Sequence, residues 1–374
     1  MNKGGAKTKR WAAGLFFVLI FMYNQIGGLA QTSARSACIL DMQTGRVLYA
    51  HEEHARLPMA STTKVMTALL AIELGDLDSE VVCSGNAFGV SGTSIYLQEG
   101  ERLTLYQLLL GLMLSSGNDA AVAIAEHIGG SVDGFAALMN ARAKEIGAGN
   151  TRFVNPHGLP DEGHYTTAYD LALIAREAMH NETFREIVSM QRASIPWEGR
   201  TYNRQLNNKN RLLSDYEGAT GVKTGFTSKA GRCLVFGAER EGLELIGAVL
   251  GCPDWFDEAA RLMDRCYADY DMARVLGPTV SAGQIAVDGG KRESCSICVL
   301  EDLSVPMAAG ESAQVVLDVP KRVPAPVYPG MHLGTATLVV HGKAYAASEV
   351  VAGERVDAKG IHLDIRRVMA RWVL

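Results

Sequence analysis

Residues 58–72 read Pro58-Met59-Ala60-Ser61-Thr62-Thr63-Lys64-Val65-Met66-Thr67-Ala68-Leu69-Leu70-Ala71-Ile72. Val65, Met66, Leu69, Leu70 and Ile72 recur at the helical period, which predicts a helix with one broad buried face. Pro58 sits just ahead of its start, where a missing backbone N–H does no harm. Ser61 and Lys64 stand one turn apart at its beginning. Residues so spaced share a face, so hydroxyl and amine meet within hydrogen-bond reach. A serine hydroxyl is a weak nucleophile and needs a neighbouring base. The helix N-terminus adds free amides and partial positive charge, which favour negative charge developing on the serine or on an acyl oxygen. For Lys64 to accept a proton its pKa must fall, and burial and a second cation both push it down.

A Ser-x-x-Lys match alone is weak, because one arises by accident in a chain of this length. Its companions give it weight. Two Ser-x-Asn triplets occur, Ser84-Gly85-Asn86 and Ser116-Gly117-Asn118. The first follows the strand-like Val81-Val82-Cys83 and reads as a turn. The second lies between an apolar helix ending at Leu114 and a helix starting near Asp119, so it projects from a rigid hairpin. There Ser116 is placed to relay a proton and Asn118 to hold a substrate amide. Lys223-Thr224-Gly225 lies on a predicted strand. Lys223 and Thr224 offer a cation and a hydroxyl for a carboxylate, and Lys223 is the candidate second cation beside Lys64. Gly225 lets an extended peptide approach the strand edge, and the amide of Phe226 can face that of Ser61 as an oxyanion hole.

Outward from these motifs, residues 36–50 read as two short strands around a glycine-bearing turn at Asp41–Gly45. Leu105–Leu114 is apolar nearly all round, a core helix too short to cross a bilayer. Helices follow over 119–128, 132–146 and 169–179, with an irregular stretch at 148–167. Strands are predicted within 191–206 and as an antiparallel meander over 219–250, then an amphipathic helix at 257–270. This makes one mixed α+β domain. Past Gly277-Pro278 the pattern turns to short strands (314–319, 335–341, 345–351), a small β domain over 278–355. In the tail, 356–374, Ile361, Ile365, Val368, Met369 and Trp372 share a helical face beside Arg366, Arg367 and Arg371. That fits either a helix lying in a membrane interface or one capping the β domain.

The 374 residues are 48% hydrophobic and 21% charged, ordinary for a globular protein. Residues 1–30 carry a basic stretch to Arg10, an apolar run from Trp11 to Tyr23 and small residues at Gly28 and Ala30, the pattern of an export signal. They hold four cations and no acid, so their removal takes the formal net charge from −5 to −9. An acidic mature chain is a poor polyanion binder, which disfavours nucleic acid. Seven cysteines leave at least one thiol unpaired. Cys295-Ser296-Ile297-Cys298 has no second pair or histidine cluster to complete a metal site, so no metal or cofactor is expected.

In combination these stretches resemble the serine-type D-Ala-D-Ala carboxypeptidases of peptidase S11 type, the low-molecular-mass penicillin-binding proteins. The resemblance rests on Pro58–Thr67, on Phe153-Val154-Asn155-Pro156-His157-Gly158-Leu159-Pro160, on His164-Tyr165-Thr166-Thr167-Ala168, and on Lys223–Thr227 with Ala230-Gly231-Arg232-Cys233-Leu234. It covers residues 35 to about 270 and is weaker beyond. It implies a β-lactamase/transpeptidase-like α+β domain over 31–277: an antiparallel sheet with helices on both sides plus an all-helical subdomain, followed by a small β domain. It also implies that Ser61 attacks the carbonyl between the terminal D-alanines of a peptidoglycan stem peptide. Lys64 would be the base, Ser116 the relay, and Lys223 with Thr224 the carboxylate anchor. β-Lactams would acylate Ser61, and the enzyme would work outside the cytoplasm. His157 reads as a turn-fixing histidine rather than a base. A class A β-lactamase would need a glutamate four residues before an asparagine, and Glu162 lacks that arrangement. A DD-endopeptidase or transpeptidase shares the same acyl-enzyme, and a catalytically dead wall-binding protein would not need the intact motifs.

Overall fold

The hairpin at residues 36–51 seeds the main sheet: β1 (Ser36–Asp41) and β2 (Val47–His51) pair antiparallel across the glycine-bearing turn. The structure is a computed structural model that describes residues 32–359. The expected export segment and the amphipathic face from Ile361 to Trp372 lie outside the described residues. From Ala34 onward the described residues pack as one unit.

After β2 comes α1 (Lys64–Leu74), which follows a 3₁₀ turn over Ala60–Thr63 and ends at Gly75. A small ribbon of β3 (Glu80–Val82) and β4 (Arg102–Thr104) leads into α2 (Leu105–Met113). Thr104 and Gln107 form a reciprocal capping box there, satisfying two otherwise orphaned backbone donors. Next come α3 (Asn118–Gly129) and α4 (Val132–Ile146), the latter capped by Ser131 and stopped by a left-handed Gly147. α5 (Ala168–Met179) is capped by Thr167 and α6 (Glu182–Ser189) by Asn181. α6 has no counterpart in the sequence reading, although its apolar face of Phe184, Ile187 and Val188 is buried.

The chain then makes a ribbon of β5 (Arg192–Ile195) and β6 (Arg204–Asn207), a short α7 (Leu212–Asp215), and the meander β7 (Ala219–Thr227), β8 (Gly231–Arg240) and β9 (Leu243–Leu250). The five-stranded sheet runs β2-β1-β9-β8-β7, antiparallel throughout, so β7 is an edge. One face buries Leu40, Cys38, Val235 and Ile246 against the helices α1 to α6. The other buries Ile39, Leu234, Phe236 and Val249 beneath α8 (Trp255–Asp269). Alternate residues of each strand thus serve two cores, as a sheet covered on both sides requires.

Beyond α8, β10 (Tyr270–Leu276) pairs with β13 (Leu303–Ala308). A six-stranded sheet forms from β11 (Gly283–Asp288), β12 (Ser294–Val299), β14 (Ala313–Asp318), β15 (Arg322–Pro324), β16 (His332–Val340) and β17 (Lys343–Ala352). Its order is β14-β16-β17-β12-β11-β15, with a separate core around Ile297, Val305, Leu338 and Val350. Arg46, from the β1–β2 turn, reaches into this module. It donates to Pro306 O and to the Glu311 carboxylate, and lies over the rings of Tyr270 and Tyr345. Among the described residues no helix is long and apolar enough to cross a membrane.

Candidate active site

The turn that carries Ser61 is held under strain. Ala60 enters the 3₁₀ turn at φ +49°, a left-handed conformation costing an L-residue about 1–2 kcal/mol. Two hydroxyls fasten it: Thr62 Oγ1 donates to Met59 O at 2.6 Å and Thr63 Oγ1 to Ala60 O at 2.9 Å. Ser61 stands half-buried between them.

Lys64 is fully buried, with its Nζ 3.1 Å from Ser61 Oγ, 2.7 Å from Asn118 Oδ1 and 2.9 Å from His157 O. Burial pulls its pKa well below that of a free lysine; the charges of Lys223 and Lys209 pull the same way, and Asp119 opposes them. A neutral amine has two hydrogens and one lone pair. Asn118 Oδ1 and the His157 carbonyl can only accept, so they take the hydrogens, and the lone pair is left for the Ser61 O–H.

Ser116 is buried at φ +63°, between α2 and α3. Beside it Gly117 N–H donates to Gly111 O at 3.1 Å and Asn118 N–H to Thr93 O at 2.7 Å. Asn118 Nδ2 donates to Ser91 O at 2.7 Å. The carboxamide expected to hold a substrate amide is thus shared between Lys64 and Ser91, leaving one N–H and one lone pair for a ligand. Asp119 pins the same loop by accepting from Ser94 Oγ and from the amides of Ile95 and Leu97. The other triplet, Ser84-Gly85-Asn86, forms a turn, its Ser84 and Asn86 side chains donating to Glu126.

On the opposite wall Lys223 is buried and donates to Thr224 O at 3.1 Å. Burial, and then Lys209, lowers its pKa to about 7. Thr224 is buried beside it, while the Phe226 ring is 62% exposed. A Cβ built on Gly225 would sit 2.9 Å from the amide nitrogens of both Ser61 and Thr62. The edge strand therefore runs in contact with the backbone of Ser61 and Thr62, an approach only glycine permits.

The loop at 148–167 closes the third side. Thr67 Oγ1 donates to Pro156 O at 2.6 Å, and Leu57 exchanges backbone bonds with Thr166. The His157 ring is pushed down to about 3, first by burial and then by Lys64, so it is neutral. A groove of about 620 Å³ leads away past Ser115, Gly92, Trp197, Tyr202 and Lys209. Neither that groove nor a larger cavity of about 850 Å³ around Arg240, Tyr267 and Tyr270 is lined by a motif residue itself, but the groove includes Ser115, next to Ser116.

The structure thus gathers Ser61, Lys64, Asn118 and Gly225 by direct contact, with Lys223 close enough to shift Lys64. Sequence reading missed Lys209, Asp119, the His157 carbonyl and His164. His157 and His164 both lay in stretches already singled out, but neither the carbonyl of the one nor the ring of the other was given a role at the site.

A family model described as D-alanyl-D-alanine carboxypeptidase, Peptidase S11, matches residues 24–254. The D-alanyl-D-alanine carboxypeptidase DacF of Bacillus subtilis (strain 168) is 33% identical over 350 residues, spanning 91% of this chain and 90% of that protein. Penicillin binding protein 5 from Haemophilus influenzae superposes with a TM-score of 0.71 at 26% identity, covering 87% of this chain and 98% of the other. The D-alanyl-D-alanine carboxypeptidase DacD from Francisella tularensis gives 0.65 at 26% identity, covering 90% of this chain and 100% of that one. With the family model across most of the chain, the motifs in one cleft and the α+β fold of these structures, this chain belongs to the Peptidase S11 family of D-alanyl-D-alanine carboxypeptidases, which are serine hydrolases.

Proposed function

We propose that Ser61 is the nucleophile with which this D-alanyl-D-alanine carboxypeptidase removes the terminal D-alanine of a peptidoglycan stem pentapeptide. Lys64 takes the Ser61 proton as the oxygen attacks the carbonyl between the two D-alanines. The amides of Ser61 and Phe226 receive the oxyanion. Ser116 passes the proton to the departing amine, and D-alanine leaves as its C–N bond breaks. Water then enters, gives a proton to Lys64 and attacks the ester carbonyl; the bond to Ser61 Oγ breaks, Lys64 returns the proton to that oxygen, and the shortened peptide leaves. Lys223 and Thr224 anchor the terminal carboxylate, and Asn118 offers its remaining N–H to the substrate backbone. β-Lactams present the same acyl carbon and carboxylate, so they acylate Ser61 as mimics.

The observation that carries this reading is the Lys64 amine, buried, low in pKa, and wedged between Asn118 Oδ1 and His157 O with Ser61 Oγ as its third neighbour. Fluorescent penicillin should label the wild-type protein and not Ser61→Ala, and D-alanine release from a pentapeptide should vanish with it. Labelling that persists in Ser61→Ala moves the nucleophile elsewhere.

A family acting on the cell wall works outside the cytoplasm. Export through residues 1–30 and membrane contact through the arginine- and tryptophan-bearing tail belong to the same reading. Both rest on sequence pattern. Fractionation of cells producing the full chain and a form ending at Lys359 tests them together.

A further inference from the structure

We propose that His164 is a positioning residue for acylation: by donating to Thr63 it holds the Ala60–Ser61 turn that aims the nucleophile and its backbone amide. The proposal rests on Ser61 as nucleophile and adds what keeps Ser61 in place.

His164 is 3% exposed, and both of its ring nitrogens are engaged within the protein. Its Nδ1 lies 3.1 Å from the Val154 amide nitrogen, and its Nε2 lies 2.7 Å from Thr63 Oγ1. The amide can only donate, so Nδ1 is an acceptor and Nε2 carries the ring hydrogen, an assignment drawn from the partners. Thr63 spends its own hydrogen on Ala60 O at 2.9 Å. The bonds therefore run one way: Val154 N–H to His164, His164 N–H to Thr63, Thr63 O–H to Ala60. The last acceptor is the carbonyl of the residue before Ser61, and that residue is the strained one, at φ +49°. A left-handed alanine persists only where its surroundings over-determine it.

Two further contacts show how closely the carbonyl is boxed in. A Cβ on Gly158 would lie 1.8 Å from Ala60 O and 2.8 Å from Thr63 Oγ1, so the loop backbone already presses on the turn. Phe153 packs edge-on against the imidazole at 5.8 Å between centroids. Burial pushes the ring down to about 4, against the pull of Asp161, so it stays neutral and keeps one acceptor and one donor. The neighbouring His157 is neutral too.

The two ring nitrogens can be separated by substitution. An asparagine amide reaches the place of Nδ1 and a glutamine amide that of Nε2, so His164→Asn keeps the bond to Val154, whereas His164→Gln keeps the bond to Thr63. Acylation by fluorescent penicillin, kcat and KM for D-alanine release, and thermal melting are measured on the full chain. His164→Asn should lose about 10- to 100-fold in acylation and kcat, the scale of a misplacement of up to an ångström, with KM little changed. His164→Gln should stay close to wild type. Thr63→Val, which cuts the same bond from its other end, should match His164→Asn, and the double variant should be no slower than either. A wild-type acylation rate in His164→Asn, or equal losses in Asn and Gln, reduces His164 to a loop-folding residue and overturns the proposal. If His164→Asn does not fold, Thr63→Val against Thr63→Ser decides: a normal rate in Thr63→Val overturns it. Labelling that survives Ser61→Ala would instead overturn the nucleophile assignment, whatever the His164 variants do.

Discussion

Replacing Gly225 with alanine is the most direct test of how edge strand and nucleophile are packed. The position is not in the left-handed region, so alanine meets no backbone penalty and the effect is steric alone. Its Cβ would lie 2.9 Å from Ser61 N, 2.9 Å from Thr62 N and 3.2 Å from Ala60 Cβ. Ordinary contact begins near 3.4 Å, so strand and turn must part by about 0.5 Å. Neither side yields easily: the turn is fastened through Thr62 to Met59 O and Thr63 to Ala60 O, and the strand is hydrogen-bonded to β8. An ångström of misplacement costs on the order of 100-fold in rate, so half of that predicts about 10-fold, or about 1.4 kcal/mol of transition-state stabilisation. Overpacking should cost about 1–3 kcal/mol of stability as well. The second-order rate constant for acylation by a fluorescent penicillin, paired with a thermal melt, reads both. A variant that acylates at the wild-type rate with an unchanged melt would refute the contact between this strand and the amide of Ser61.

The profile of kcat/KM against pH should be a bell. The base role proposed for Lys64 requires the neutral amine, so the rate should fall as pH drops through its lowered pKa. The carboxylate anchor proposed at Lys223 requires its charged form, and with its pKa at about 7 that anchor should fade as pH rises beyond it; a rate still climbing towards pH 9 contradicts this role. Lys209→Met removes a cation that depresses both lysines, so both pKa values rise and both limbs should move to higher pH; limbs that stay put exclude Lys209 from the cluster. Arg46→Ala empties a buried site and leaves Glu311 with only the Ala308 amide and His341 as partners. Breaking a buried pair costs about 3–5 kcal/mol, and the partners that remain bring our figure to about 2. Calorimetry should show an earlier transition with acylation intact, and a melt at the wild-type temperature counts against a stabilising role for Arg46 between the β1–β2 turn and the C-terminal strands. Gly158→Ala meets Ala60 O at 1.8 Å from a residue at φ +88°, so a loss of about 2 kcal/mol or more is expected together with slow acylation; normal melting and labelling would show that the loop does not press on the turn.

The parts of this molecule that a reader of the sequence recovers are those whose information is local. α4 spans Val132–Ile146, as its periodicity and its flanking Ser131 and Gly147 require, and the meander β7 to β9 falls between its glycines. α6 escaped because eight residues make barely two turns, too few for a period to stand out from the polar residues around it. β11, β12, β13 and β15 escaped because short strands gain meaning only from partners; β15, three residues long, is a strand because it lies parallel to β11. The sequence reading ends the helix at Tyr270 and leaves the residues to Leu276 in the first domain with no element assigned, yet Tyr270–Leu276 is a strand committed to β13 by a pairing that spans some thirty residues.

The active site divides along the same line. Three motifs name the proposed nucleophile, amine and carboxylate anchor, because side-chain chemistry is written in residue type. What sets Lys64 apart from an ordinary lysine and suits it to the proposed role of base is not written there. Its two hydrogens go to an amide oxygen 54 residues away and to a main-chain carbonyl 93 residues away. The carbonyl has no signature at all, since every residue carries one. Had both acceptors been absent, Ser-x-x-Lys would still match and the lone pair would have no fixed direction. The catalytic meaning of the motif therefore resides in the loop at 148–167 and in the α2–α3 hairpin, each brought to Lys64 by the core beneath them. This is why single changes in those supports, at Gly158 or His164, are expected to alter the chemistry of Ser61 without touching it.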